Sequence, residues 1–271
     1  MILLSGQPVR EVSGPLTPLE QFIVNEKMMS MLPYSYETED QLRFELKVRL
    51  NLVEASKQMC YSRVQFGDFP KSRCNPAYWI RMPNGGFRQR PDVRSSEAIS
   101  DFFLRSEFYT FECATAIIIL MYKAVLETIG APLFNTYFRN LVLFTWNTDE
   151  DLRIITRPSR ESFPGDVLYF RNPDVSPINP EWQGENVVEL GNNLFYGHGT
   201  GIKTPYEIIR ELNSYRRRFA FRSAYLVEQV TAPDYKYLYQ LSKSLPHPLE
   251  AGYPYRGIVS KIGEFTVVAA G

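Results

Sequence analysis

Apolar positions recur at helical spacing through the first third of the chain. Thr17-Pro18-Leu19-Glu20 reads as a capping box with proline at the first helical position. The threonine hydroxyl and the glutamate carboxylate can satisfy N–H groups that a helix start leaves free. It predicts a helix to about Leu32, stopped by Pro33. The signal recurs at Thr38-Glu39-Asp40-Gln41, after which Leu42, Leu46, Leu50 and Val53 share one face. Residues 78–82 and 87–90 flank the turn Pro83-Asn84-Gly85-Gly86 and predict a β-hairpin, followed by a short helix over 96–105. A strongly apolar helix is expected over 112–128, stopped by Gly130 and Pro132. The period then shortens to that of strands at 141–146, 167–171, 186–190 and 194–197. A third capping box, Thr204-Pro205-Tyr206-Glu207, opens a helix to about Arg217, and a last helix is expected near 223–230. Helices, one central helix, a strand meander and further helices predict a single α+β domain over residues 1–244. Residues 245–271, rich in proline and glycine, predict an appended tail.

Composition narrows the chemistry. The 271 residues carry 30 Lys+Arg against 30 Asp+Glu, which argues against a nucleic-acid binder. The longest apolar run, 114–122, is half of what a bilayer needs, so no membrane span is expected. After the apolar Met1–Leu4 come Gln7, Pro8 and Arg10, so no export signal is legible and synthesis without a leader is expected. Three cysteines do not close a disulfide framework, and with two histidines they exclude a closely spaced Cys/His zinc module. An imidazole role can fall only on His198 or on the proline-flanked His247, to which no role is assigned. The run Arg216-Arg217-Arg218 ends a predicted helix, where cations complement the dipole.

Cys113 opens the apolar helix, where the partial positive charge and free N–H groups of a helix start can favour a thiolate nucleophile. A small apolar side chain filling the core is the alternative. Cys60 and Cys74 have no such context. Downstream, Glu185 begins a strand and His198 follows the hairpin turn Gly191-Asn192-Asn193, so the two can meet across the ladder. A helix-start thiol with two titratable groups on adjacent strands would make a cysteine acyl-transfer site. Otherwise His198 is a satisfied strand-end histidine, and Glu112 is either an auxiliary acid or a partner of the helix dipole.

The order of a helix-start cysteine, Pro164-Gly165-Asp166 before a strand, and a strand ending in Leu190-Gly191 resembles the NlpC/P60 cysteine hydrolases. Glu185 stands where their catalytic histidine would be. The chain is more similar to the spore-coat protein-glutamine γ-glutamyltransferases of bacilli. That likeness is carried by 44–47, Phe111-Glu112-Cys113-Ala114-Thr115-Ala116, Gly184-Glu185-Asn186-Val187, His198-Gly199, 212–216 and 223–226. It runs from about residue 1 to 240. The resemblance implies a papain-like core and a calcium-independent enzyme without metal or cofactor. Its partners would be protein substrates: the Cys113 thiolate takes the γ-glutamyl group from a glutamine, and a lysine amine accepts it. Spore-coat proteins would be those substrates and the spore surface the destination. Glu185 would be the acid/base nearest Cys113, once burial raises its pKa from near ~4.3. His198 would share or orient that role. Phe66, Trp146 and Trp182 would line a channel that keeps water from the thioester. A cysteine amidase on the same scaffold and a non-enzymatic coat protein are the competing readings.

Overall fold

The computed structural model describes residues 1–244 and the backbone of 260–262 and 265–267. The expected tail, with His247, otherwise lies outside the described residues. Seven helices are described: α1 (Pro18–Met29), α2 (Glu39–Cys60), α3 (Ser95–Leu104), α4 (Cys113–Ile129), α5 (Ala131–Tyr137), α6 (Pro205–Ser214) and α7 (Tyr235–Lys243). The main antiparallel sheet comprises β1 (Ile154–Pro158), β2 (Val167–Arg171), β3 (Gly184–Gly191), β4 (Leu194–Gly197), β5 (Gly201–Lys203), β6 (Tyr225–Leu226) and β7 (Gln229–Pro233). Its spatial order is β5-β4-β3-β2-β7-β1, with β6 beside β2. This is the α+β architecture the sequence implied, with the cysteine at the first residue of a central helix.

Strand alternation sorts the sheet into two faces. Val167, Val188, Leu190 and Tyr196 join the main core with α2 and α4. Leu168, Phe170, Val187 and Phe195 meet Ile208 and Leu212 of α6 on the other side. From Ala114 to Tyr122 every residue of α4 is buried, so the run too short for a bilayer is a core helix. Among the described residues no helix is long and apolar enough to cross a membrane.

The capping boxes at Thr17 and Thr204 form as expected, each with reciprocal hydrogen bonds. Thr38 caps α2 alone, because Gln41 turns to accept from the Glu37 N–H at 2.7 Å instead. The hairpin forms with strands Trp79–Arg81 and Phe87–Gln89. Two expectations fail. The strand expected over 141–146 reduces to Val142–Leu143. The helix expected near 223–230 is absent: β6 and β7 occupy that stretch, and the helix comes later, as α7. Val230 and Thr231 are β-branched and pair with β1, while Asp234 accepts from the Tyr237 N–H at 3.0 Å and starts α7 beyond Pro233.

Candidate active site

Glu112 and Cys113 lie where the parallel pair Gln65–Phe66 and Thr110–Phe111 runs into α4. Glu112 is the N-cap residue. Its carboxylate accepts from the N–H groups of Ala114 (2.6 Å) and Thr115 (2.7 Å) and from the Thr115 hydroxyl (2.6 Å). These are the free helix-start N–H groups that were expected to favour a thiolate, and Glu112 takes them. Burial pushes the Cys113 thiol well above its ordinary pKa, and the charges of Glu185 and Glu112 raise it further. The resting group is therefore a thiol, which corrects the expected thiolate.

Across from the helix start, β3 presents Asn186, on the α4-facing side with Val188. Its Nδ2 donates to the Cys113 sulfur at 3.4 Å. The backbone and side-chain N–H groups of Asn186 both act to lower the thiol pKa, against the larger effect of burial. Asn186 was not singled out from the sequence. The available signal was its position, one residue beyond Glu185 on a period-two strand.

Glu185 is 1% exposed, and burial pushes its carboxyl up to about 8. Its main restraint is the Gly199 N–H, which donates to Oε1 at 2.8 Å. A β-carbon at Gly197 would stand 2.7 Å from Oε1, and one at Gly199 would stand 3.1 Å from Oε2. The two glycines therefore leave the room that the carboxylate fills. At neutral pH Glu185 is mostly the neutral acid, the raised state expected of it from burial.

His198 has both ring nitrogens engaged by other partners. Its Nε2 meets the Gln65 carbonyl at 3.3 Å, and its Nδ1 meets the Tyr196 hydroxyl at 3.1 Å. The ring stacks on Phe111, with centroids 4.8 Å apart. Burial lowers its pKa to about 4, against the opposing pull of the Gln65 and Phe111 carbonyls, so the imidazole is neutral at pH 7. A carbonyl only accepts, so Nε2 carries the proton and Nδ1 accepts from the tyrosine.

Cys113 opens onto a cavity of about 300 Å³ walled by Phe66, Trp146, Tyr169 and Asn186. Trp182, expected in that wall, lies behind it. It stacks flat on Tyr215 at 4.2 Å and tilts against Phe66 at 5.3 Å. The arrangement is a thiol at the mouth of an aromatic cavity, with the half-buried Glu112 and the buried Glu185 near it, suited to transferring an acyl group away from water. Among the described residues no group of three or more His, Cys, Asp or Glu could hold a metal ion.

Residues 1–242 match the family model described as protein-glutamine gamma-glutamyltransferase. Proteins of that name from Bacillus cereus (strain 03BB102) and Bacillus anthracis (strain A0248) are each 44% identical over 238 residues, covering 87% of this chain and 86% of theirs. The solved structure titled "Transglutaminase from Geobacillus stearothermophilus (without C-terminal extension)" is 50% identical with a TM-score of 0.73. It covers 77% of this chain and 100% of that one.

Proposed function

Given that the chain belongs to the protein-glutamine gamma-glutamyltransferase family and is a transglutaminase, we propose that it works through a thioester on Cys113. The observation that carries this reading is the position of Cys113, at the first residue of α4 and opening onto the aromatic cavity beside Glu112 and Asn186. The sulfur attacks the γ-carboxamide carbon of a protein glutamine. The C–N bond breaks as the C–S bond forms, and the thiol proton ends on the departing ammonia. A neutral lysine ε-amine then attacks the thioester, giving an isopeptide and restoring the thiol.

Glu185 relays the proton in each half. With a pKa of about 8 it can both give and take a proton near neutral pH, which an ordinary carboxyl near ~4.3 does poorly. Glu112 acts as an auxiliary: it fastens the helix end and adds negative charge beside the thiol. Neutral His198 orients rather than shuttles, holding Phe111 and the Gln65 carbonyl in place beside the helix start. Phe66 and Trp146 shield the thioester from water, and Trp182 backs Phe66.

We carry the resemblance further in three respects: activity independent of calcium, spore-coat proteins as substrates, and delivery to the spore surface. The test is incubation of a glutamine-rich coat protein with a labelled primary amine in excess calcium chelator. Amine incorporation that disappears in Cys113→Ala supports the reading. Ammonia release without incorporation would make the protein an amidase, and incorporation retained by Cys113→Ala would remove the nucleophile assignment.

A further inference from the structure

Asn186 is 6% exposed and lines the Cys113 cavity. Its amide has two ends with different fates. Nδ2 is committed to the Cys113 sulfur at 3.4 Å, whereas Oδ1 is buried without a hydrogen-bond partner among the described residues. A buried carbonyl left unpaired is costly, and folds rarely leave one unless something else meets it. Tyr169 sits opposite Asn186 across the β2–β3 ladder and belongs to the same wall. The unpaired oxygen therefore belongs to a side chain that lines the space where a substrate must sit to meet the sulfur.

We infer that Asn186 Oδ1 is the acceptor that holds the reacting nitrogen: the carboxamide NH₂ of the glutamine in the first half-reaction and the incoming ε-amine in the second. The inference rests on the Cys113 thioester reading and adds a substrate-contacting residue to it. In the first half the sulfur–carbon bond forms, the carbon–nitrogen bond breaks, and the nitrogen leaves as ammonia with the thiol proton. In the second half an amine nitrogen arrives at the same place, forms the carbon–nitrogen bond and returns a proton to the sulfur. Departure and arrival are the same step in opposite directions, so a single N–H acceptor serves both. An oxygen accepting from the amide N–H fixes the leaving group over the thiol. A carbonyl oxygen cannot bind an oxyanion, so this role differs from transition-state stabilisation by a donor.

The discriminating experiment compares two acyl donors of one peptide, its γ-glutamine amide and its γ-ester, which has no N–H to hold. Asn186→Leu keeps the volume and removes the unpaired carbonyl, so its melting temperature is expected to equal or exceed that of the wild type. Both donors lose the Nδ2 contact to the sulfur, so acylation by the amide should fall about 30-fold or more beyond whatever loss the ester shows. Once acylated through the ester, the variant should divert thioester from amine to water. Equal losses on amide and ester would overturn the inference in favour of an oxyanion donor or, with a lowered melting temperature, of a structural role. No loss on the amide would overturn it outright. Mass spectrometry of the wild type keeps the two readings apart: an absent adduct on Cys113 sinks the thioester, whereas the amide-to-ester ratio judges only Asn186.

Discussion

Two buried glutamates of this chain, Glu45 and Glu185, have pKa values shifted in opposite directions. Between α1, α2 and the turn before β2, Glu45 takes Lys27 at 2.5 Å and Arg49 at 2.7 Å, and Arg49 reaches Asp166 at 2.9 Å. Burial alone would push Glu45 up, but the two cations hold it down at about 2. Arg49 stays charged because Asp166 and Glu45 outweigh its burial, whereas burial wins at Lys27 and brings it to about 8. Beside Cys113 the carboxyls of Glu185 and Glu112 are held by N–H and hydroxyl donors, and burial raises both. Burial is common to the two sites; the partner decides the sign. Charges matched by opposite charges fasten elements far apart in sequence. Glu185, left with an N–H donor, keeps a proton it can exchange near neutral pH.

The comparison breaks most visibly if a cation is taken from the paired site. Arg49→Leu strands Asp166, leaves Glu45 with Lys27 alone, and is expected to cost ~3–5 kcal/mol of stability, read from urea denaturation. A loss below about 1 kcal/mol would mean that the network is not what joins α2 to the start of β2.

Glu185→Gln should do the reverse. It removes an exchangeable proton without stranding a charge, so transamidation should fall on the order of 10²–10⁴-fold while the fold holds. The linkage sign follows from its raised pKa. Between pH 4.5 and 8 the unfolded chain releases the Glu185 proton and the folded chain keeps it, so wild-type stability falls as pH rises through that window. The variant lacks this loss. It should match the wild type at pH 4.5 and exceed it by on the order of a few kcal/mol at pH 8. For Glu45 the opposite holds: its contribution is present above pH 4.5 and fades as pH falls toward 2. Melting curves across pH 3–9, with parallel behaviour of both proteins, would refute the unpaired state of Glu185.

This contrast also separates what was legible in the sequence from what was not. The helix start at Cys113 and the strand start at Glu185 were legible because both are local events, written in Glu112-Cys113-Ala114 and Gly184-Glu185-Asn186. The same locality made the boxes at Thr17 and Thr204 readable. Local signals failed where pairing across the chain chose the structure. Residues 229–233 are a strand because β1, some 75 positions earlier, pairs with them. The Arg49–Asp166 ion pair likewise joins residues far apart in sequence and leaves no local pattern. Glu112 was readable as a dipole partner, but not as the group that takes the N–H donors at the start of the Cys113 helix. Asn186 was missed because its importance depends on which face of β3 meets α4.

The smallest expected effect concerns His198, and it tests whether the chemical site holds any charged base. An imidazolium would have been the natural counter-ion for Glu185, making this site a paired one like that around Glu45. Instead the ring is neutral, its Nε2 on the Gln65 carbonyl and its Nδ1 on the Tyr196 hydroxyl. With a pKa brought to about 4 by burial, it does not titrate between pH 5 and 8. Substitution by glutamine keeps a donor and an acceptor but loses the stack on Phe111. His198→Gln should therefore retain activity within ~10-fold, well short of the loss at Glu185. Its pH–rate profile should keep the wild-type shape, with the limb near 8 set by Glu185 and no inflection near 6.5 in either protein. A wild-type limb near 6–7 that vanishes in His198→Gln, with a loss of ~10³-fold, would make His198 a proton carrier. The site beside Cys113 would then be paired, and the distinction from Glu45 would rest on geometry rather than on charge.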